Sequence, residues 1–390
     1  MDVRHTHTTD VFAVRACYND DAADLIAIGG AHSVEVLLTT PTSSKVIANF
    51  HVGTRITALA WSPSSTSPST TDDWSIELAC ASVDYNLYLL SKSSISAENV
   101  FPFGGGLSGH HGKVNDMAYC GGQSEDSTRY VATVSDDKML MVWDLSPTAP
   151  PPSPGRDRDS TSSSATRLQP TAYVISFPHP LTTVASHPST SKEFLVADSR
   201  GSIFLIDWRE DPDENPQDSW RNSSVVELTD PRALADAATG LSNKWSGSVA
   251  WRRDSPDIIG AAYGSRFALW DLLSLHGGKP YVTGTSFPEG GHQFRYVCHF
   301  LRSPTHRVLL FPMWCPTYPE YFAISANAPG RGAVIHVHNT GYVHAQPTVF
   351  NVGPRPLFVR DFDFLAARGI PRLVAAVGRE VVIFYIGVDS

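Results

Sequence analysis

The sequence predicts an all-β fold, a seven-bladed β-propeller that is closed by a strand from the N-terminus. Short apolar runs that alternate with polar residues recur along the whole chain of 390 residues, as expected of strands with one buried face. The pattern repeats at intervals that approach the ~40–45 residues of one blade once loop-rich stretches are set aside. Seven repeats fit, and their third strands align at Leu37, Leu90, Trp143, Ile206, Trp270, His338 and Phe384.

The most complete repeat lies between residues 109 and 145. Its two alternating runs, 130–134 and 139–143, are joined by the polar residues 135–138, which favour a tight hairpin. A His before the first strand and a Trp-Asp pair at the end of the third are typical of a WD repeat, the unit of WD40 propellers. Four side chains of such a repeat form a buried polar chain that stabilises the turn. The sequence assigns these structural roles to His110, Ser135, Asp137 and Trp143.

The titratable residues predict neither catalysis nor a bound metal or cofactor. The Ser, His and Asp of this repeat do not resemble a hydrolase triad, because the Asp lies in a turn and the Ser has no nucleophile elbow. Two His-x-His pairs each place both rings on one face, but no Cys or carboxylate nearby in the sequence completes a ligand set. These pairs are His5 with His7 and His336 with His338.

The composition predicts a soluble, folded protein that does not bind nucleic acid directly or insert into a membrane. Hydrophobic residues make up 42% of the chain, which is enough for a sizeable core, and the net charge of −9 provides no basic field for nucleic acid or an anionic membrane. The first residues lack the apolar segment of a signal peptide, and no run of about 18 apolar residues predicts a membrane helix. Five cysteines without a CxxC pair favour a reducing compartment.

The seven units account for the chain as a single domain, 1–390, and they follow one another without overlap. The units span residues 10–50, 56–90, 109–145, 181–229, 247–287, 308–352 and 357–387, and the last strand of the third unit is predicted at 172–177. The seventh unit has three strands before the sequence ends, so we expect residues 3–9 to supply its fourth strand. Pairing the two ends of the chain in one sheet removes two exposed strand edges.

Four stretches interrupt the period and are predicted to be disordered or irregular insertions: 62–73, 146–169, 209–222 and 289–306. The first two are rich in Ser, Thr and Pro and cannot bury enough apolar area to offset the entropy of ordering. The last carries three aromatic residues that are candidate anchors for a partner protein, or that pack against the chain's own blades. These residues are Phe294, Tyr296 and Phe300.

A family resemblance rests on several short sequence segments that occur in a fixed order and spacing. These segments are 25–30, 50–63, 134–137 ahead of Trp143, 196–197, 269–271 and 381–385. The chain resembles the nucleoporin thirty-seven family, the small WD-repeat subunit of the Y-shaped nuclear pore subcomplex, across most of its length outside the insertions. The stretches 146–169 and 289–306 depart from the compact animal version and indicate a fungal member. The resemblance implies no catalytic or binding residues for this chain.

The resemblance implies a role that composition does not. A member of this family is a non-enzymatic scaffold subunit of the outer ring of the nuclear pore complex, located at the nuclear envelope, and it supports pore assembly and nucleocytoplasmic transport. Its expected partner is the large Y-complex nucleoporin, which combines a propeller with an α-helical solenoid, and through it the other Y-complex subunits.

A second function remains open at this stage, that of a substrate receptor of a cullin-four ubiquitin ligase. Such receptors use a Trp-Asp-x-Arg turn on one blade to bind the adaptor, and residues 206–209 read Ile-Asp-Trp-Arg. Arg209 would be the functional element, although an Asp-x-Arg sequence is also common at strand ends. An Arg209→Ala change should matter for partner binding only under this second function.

Overall fold

The computed structural model shows seven four-stranded antiparallel sheets, which confirms the predicted seven-bladed propeller. It describes residues 2–147, 168–209, 225–232, 247–252, 255–275, 277–285, 287, 291–296, 321–326, 330–342, 344–367 and 369–386, with the backbone alone for 291–296 and 326. The remaining parts of the predicted insertions, including 148–167 and 210–222, lie outside the described residues.

The strands follow the chain blade by blade after β1 (Val3–Thr6). Blade one has β2 (Ala13–Ala16), β3 (Leu25–Gly29), β4 (Ser33–Thr39) and β5 (Ser44–His51); blade two has β6 (Ile56–Trp61), β7 (Ser75–Ser82), β8 (Leu87–Ser93) and β9 (Asn99–Phe103). Blade three has β10 (Val114–Tyr119), β11 (Tyr130–Ser135), β12 (Met139–Asp144) and β13 (Thr171–Ser176); blade four has β14 (Leu181–Ser186), β15 (Glu193–Asp198), β16 (Ile203–Asp207) and β17 (Val225–Leu228).

Blade five has β18 (Ser248–Trp251), β19 (Ile258–Tyr263), β20 (Arg266–Asp271) and β21 (Val282–Thr285); blade six has β22 (Gly291–Tyr296), β23 (Tyr321–Ala326), β24 (Ala333–Asn339) and β25 (Thr348–Gly353). Blade seven has β26 (Val359–Phe364), β27 (Arg372–Val377) and β28 (Glu380–Tyr385). The described chain also forms one short helix, α1 (Glu125–Arg129), and four 3-10 turns at Asp20–Ala22, Gly106–Ser108, Leu272–Ser274 and Thr340–Tyr342.

The first strand of the chain completes the last blade, as the sequence predicts. β1 pairs antiparallel with β28, with Val3 opposite Ile383 and Thr6 opposite Glu380. The innermost strands β2, β6, β10, β14, β18, β22 and β26 contact one another in this order, and β26 returns to β2. The ring of blades is therefore closed, and its seam lies within blade seven, between β1 and β28.

Seven apolar cores stabilise the ring, one in each interface between neighbouring blades. The middle strands are buried on both faces, because each blade packs against two neighbours. All five residues of β3 and all six residues of β27 are buried, and both strands read as near-continuous apolar runs. The outer strands have one unpaired edge and are more exposed, as in β13, where residues 173 and 174 exceed half exposure.

The sixth blade corrects one sequence assignment. Its innermost strand is Gly291–Tyr296 and pairs with β23, from Gly291 opposite Ala326 to Tyr296 opposite Phe322. The sequence pattern predicts an insertion at this segment and an innermost strand at 308–314, a range that lies outside the described residues. The mixture of polar and aromatic residues in this segment resembles a loop. Innermost strands nevertheless tolerate charged residues, as Asp361 and Asp363 on β26 illustrate.

The 62–73 insertion is irregular, as expected, but it is an ordered loop. Ser62, Ser65 and Ser67 are buried, and the Ser65 hydroxyl donates to the Glu77 carbonyl at 2.9 Å. The Asn19 amide donates to the carbonyls of Ser62 and Ser65 at 3.0 and 3.2 Å. Short hydroxyl side chains thus hold this loop in place by satisfying buried backbone groups instead of burying apolar area.

Candidate partner-binding surface

The WD-repeat residues of blade three form a buried chain of hydrogen bonds. The His110 ring contacts the Asp137 carboxylate through Nδ1 at 2.8 Å and the Thr133 hydroxyl through Nε2 at 2.8 Å. The Trp143 indole N–H donates to the same hydroxyl at 2.9 Å, and Asp137 accepts the His111 backbone N–H at 2.9 Å. Burial raises the pKa of Asp137, but the hydrogen bond from His110 and the two backbone N–H donors outweigh it and lower the pKa to about 2.

Thr133 takes the central position that the sequence reasoning gives to Ser135. In the β11–β12 pair, Trp143 lies opposite Val131, so its indole reaches diagonally to residue 133 and not to residue 135. Ser135 lies at the hairpin, where its hydroxyl accepts the Asp137 backbone N–H at 3.2 Å. The side chains of Thr133 and Ser135 are on the same face of β11 because they are two residues apart. The pairing register between β11 and β12 therefore decides which of them the Trp143 indole reaches.

Replacing Thr133 with valine should cost more stability than replacing Ser135 with alanine. Valine keeps the shape but leaves the ring nitrogen of His110 and the indole N–H of Trp143 buried without a partner, a loss of about 2–4 kcal/mol. Ser135→Ala removes one acceptor at the turn and should cost about 1 kcal/mol. Urea unfolding of both variants measures the difference, and equal midpoints would contradict the central role of Thr133.

Two of the three aromatic candidates for partner binding lie on a strand of blade six. Phe294 and Tyr296 belong to the innermost strand β22, where their backbones pair with Ile324 and Phe322. Phe300 lies outside the described residues. Partner binding by these residues stays a prediction.

Arg209, the residue on which the ubiquitin-ligase alternative depends, contacts its own propeller. Its guanidinium forms an ion pair with Asp126 at 3.2 Å and lies 5.6 Å from the centroid of the Tyr130 ring, both on blade three. The indole N–H of Trp208 donates to the Ser191 carbonyl at 3.0 Å. The turn thus connects blades three and four and leaves the Arg209 side chain about one third exposed.

His336 and His338 pack against aromatic rings. His338 is 5% exposed and stacks on Phe322, with centroids 4.8 Å apart and planes 4° apart. His336 stacks on Phe287 at 3.8 Å. Burial, with a smaller contribution from His336, lowers the pKa of His338 to about 4. No group of three His, Cys, Asp or Glu side chains in the described part of the chain is arranged to hold a metal ion.

The neutral His338 should make the fold sensitive to mild acid. Its pKa in the folded state lies below the ~6.5 of an unfolded chain, so the unfolded state takes up a proton first as the pH falls. Stability should therefore decline between about pH 6.5 and 4, by up to roughly 3 kcal/mol for this residue. Unfolding of wild type and His338→Gln should show a shallower pH dependence in the variant over this window; parallel profiles would contradict the assignment.

The other His-x-His pair fastens β1 to blade one. His5 Nε2 lies 3.2 Å from one carboxylate oxygen of Glu35 and His7 Nε2 lies 3.6 Å from the other. The Thr9 backbone N–H donates to His7 Nδ1 at 3.0 Å, which fixes the ring with its Nε2 towards Glu35. The hydrogen bond from His5 lowers the pKa of Glu35 against the effect of burial. The closing strand is thus fixed on both sides, to β28 by backbone pairing and to β4 by this carboxylate.

An arginine with a 16% exposed side chain, which the sequence did not single out, joins three innermost strands. Arg15 on β2 donates to Asp361 on the neighbouring β26 at 3.0 Å and to Asp116 on β10, two blades away, at 2.7 Å. Burial would lower the pKa of this guanidinium, but the surrounding carboxylates, Asp361 foremost, raise it, so Arg15 stays charged. The guanidinium ties blades seven, one and three together.

The same carboxylates also join innermost strands through backbone groups. Asp361 accepts the Val14 N–H of the next blade at 2.7 Å, and Asp116 accepts the Val184 N–H of its next blade at 3.2 Å. In the opposite direction, the Trp61 indole N–H donates to the Arg15 carbonyl of the preceding blade at 3.0 Å. Polar groups near the ring centre are therefore engaged in holding blades together.

The connections of the propeller divide into two sets. Each blade is an antiparallel meander, so the loops between first and second strands and between third and fourth strands emerge on one side, termed here the insert face. The remaining hairpins and inter-blade connections form the turn face. Three of the four longest connections, 145–170, 208–224 and 297–320, belong to the insert face, and 229–247 belongs to the turn face. Long loops on a rigid scaffold commonly carry recognition.

Exposed apolar side chains on two neighbouring blades mark part of the insert face as a candidate binding surface. Leu273 is 78% exposed and Tyr281 54% exposed on the 272–281 connection of blade five. Tyr342 is 74% exposed on the 340–347 connection of blade six. Leucine and tyrosine side chains at this exposure bury substantial apolar area when a partner covers them. These three residues are called the blade 5–6 apolar residues below.

The described part of the chain contains no helix with the length and apolar character that a membrane crossing requires.

No family model matches the sequence. Nucleoporin Nup37 of Mus musculus is 22% identical over 84% of this chain and 80% of its own length, and Nup37 of Homo sapiens is 21% identical over the same shares. An uncharacterised WD-repeat protein of Schizosaccharomyces pombe is 25% identical over 68% of this chain and 63% of its own length. The chain is thus a WD-repeat propeller similar, over most of its length, to the Nup37 nucleoporins.

Proposed function

We propose that the chain is a non-enzymatic scaffold subunit of the nuclear pore complex outer ring, within the Y-shaped subcomplex. The observation that carries this proposal is the similarity, over 84% of the chain, to two proteins named as nucleoporins. The engagement of the buried polar groups supports a scaffold role, since His110, Asp137 and Arg15 each take part in hydrogen bonds that hold the propeller together. Its place of action is the nuclear envelope, where it supports pore assembly and nucleocytoplasmic transport.

The partner in this proposal is the large Y-complex nucleoporin, a propeller followed by an α-helical solenoid. The blade 5–6 apolar residues are the proposed contact, because an amphipathic helix offers an apolar stripe that can cover them. Truncation of a central aromatic or aliphatic anchor typically weakens a protein interface by 2 kcal/mol or more.

Affinity purification of the tagged chain from a nuclear-envelope fraction tests the proposal. The wild type should co-purify other pore scaffold subunits, and the double variant Leu273→Ser/Tyr342→Ser should lose at least about tenfold of them. Leu107→Ser is a matched control, since Leu107 is 97% exposed but lies on the turn face. Its recovery should equal that of the wild type.

The same purification distinguishes the ubiquitin-ligase alternative. Recovery of a cullin adaptor in place of pore subunits, with loss of that adaptor in Arg209→Ala, would overturn the scaffold proposal. The ion pair of Arg209 with Asp126 counts against that outcome, because the guanidinium already has a partner within the propeller.

A further inference from the structure

Arg372 is a buried cation without a counter-ion, on blade seven at the insert face. It is the first residue of β27 and is 7% exposed, which makes it the one arginine or lysine among the buried residues of the described chain. Its Nη1–H donates to the Thr40 carbonyl on blade one at 3.1 Å, and its guanidinium lies 5.7 Å from the centroid of the Tyr385 ring. Within the part of the chain that the structure describes, no carboxylate pairs with it.

Arg15 shows how the same fold treats another poorly exposed guanidinium. The carboxylates of Asp116 and Asp361 lie 2.7 and 3.0 Å from it. Removing a charge from water is costly unless an opposite charge offsets it. Burial accordingly lowers the pKa of Arg372, and among the described groups the Tyr385 phenol opposes this effect. An uncompensated cation lowers the stability of the isolated chain, so a partner group explains this arginine better than the fold alone does.

The Arg372 guanidinium can still be reached from outside. Its Nε and Nη2 have no acceptor among the described residues, and neither atom is among the fully buried polar atoms that lack a partner, so both keep some contact with solvent. Thr40 and Pro41 are exposed beside it, and the Tyr385 hydroxyl donates to the Pro41 carbonyl at 3.4 Å. A guanidinium with N–H donors to spare suits a carboxylate, which can accept two of them in parallel.

We propose that Arg372 binds the carboxylate of an aspartate or glutamate side chain in a partner segment that crosses the interface between blades seven and one on the insert face. The partner supplies the negative charge that the propeller lacks at this position, and a charge pair of this kind adds specificity to an interface. Tyr342 lies on the same face of the neighbouring blade six, so the acidic segment extends the proposed contact towards blade one. The inference deepens the proposed scaffold function and rests on it for the identity of the partner.

Unfolding of Arg372→Met in urea tests whether the cation serves the fold. Methionine keeps a flexible unbranched stem and removes the charge, so the midpoint should equal or exceed that of the wild type. Arg379→Met is the matched control, since it removes an exposed arginine from the turn face of the same blade, and its midpoint should equal that of the wild type. A midpoint for Arg372→Met as low as that of Arg15→Ala would make Arg372 a structural residue and overturn the proposal.

An NMR titration of the full chain with N-acetylglutamate methylamide tests what the site binds. The backbone amide signals of Thr40 and Tyr385, which flank the guanidinium, report binding in every variant. The wild type should bind this probe at least about tenfold more tightly than N-acetylglutamine methylamide, which has the same shape without the charge. Arg372→Met should lose the preference, and Arg379→Met should retain it.

Three results of the titration would overturn the proposal. Equal binding of the glutamate and glutamine amides would show that the site does not recognise charge. Binding of N-acetyl-O-phosphothreonine methylamide with no response to the glutamate amide would assign the site to a phosphate. Tighter binding of the glutamate amide by Asp389→Asn than by the wild type would identify a carboxylate of the chain itself as the occupant. The titration contains no pore subunit, so its failure is distinguishable from failure of the scaffold proposal in the purification.

Discussion

Replacing Arg15 with alanine is expected to lower the free energy of unfolding by about 3–5 kcal/mol, the usual cost of leaving buried carboxylates without their cation. Asp116 and Asp361 are 5% and 4% exposed, and both face the Arg15 guanidinium. Without it their negative charges oppose each other near the ring centre. Equilibrium unfolding in urea measures the loss, with the native circular dichroism spectrum as evidence that the variant folds.

Arg4→Ala is the matched control for this prediction. Its ion pair with Glu380 is 2.6 Å long, close to the 2.7 Å between Arg15 and Asp116, but both side chains are about half exposed. A solvent-exposed pair contributes about 0–1 kcal/mol. If Arg15→Ala cost no more than Arg4→Ala, the assignment of Arg15 as the tie between three blades would be wrong.

Deleting residues 2–7 is expected to destabilise the whole ring by at least about 3 kcal/mol. Roughly four ladder hydrogen bonds with β28 would be lost, each with a net contribution of ~1 kcal/mol. The deletion would also remove the contacts of His5 and His7 with the buried Glu35 and expose the edge of β28. The melting temperature of the truncated chain should fall, and the two-state transition should broaden as the seam opens first.

A peptide of residues 1–9 added in trans gives the control for the deletion. If strand pairing accounts for the effect, the peptide should restore part of the lost melting temperature, and a peptide of the same composition in scrambled order should not. An unchanged melting temperature after the deletion would show that the ring is held closed without β1.

The architecture could be predicted because each blade repeats the same local pattern. The seven positions aligned on Trp143, from Leu37 to Phe384, all fall on third strands of blades, and the strand at 3–6 pairs where expected. Alternation of apolar residues sets which strands are buried, and polar hairpins set where they turn. Both signals are local, so they survive the long insertions between units.

Features that depend on register or on contacts between blades could not be predicted. Thr133 replaces Ser135 in the His110–Trp143 chain because of the pairing of β11 with β12, which a single strand does not reveal. The innermost strand of blade six was missed because its polar residues resemble a loop. Arg15 meets carboxylates 101 and 346 residues away in sequence, so the central tie is visible only once the ring is closed.

Cross-linking mass spectrometry on the assembly purified from nuclear envelopes tests most directly the claim that this propeller acts by surface recognition through its insert face. Lys279 is exposed on the insert face of blade five, and Lys138 is exposed on the turn face of blade three. Cross-links from Lys279 to another pore scaffold subunit, with few or none from Lys138, are the predicted result. Cross-links concentrated at Lys138, or none to any pore subunit, would contradict it.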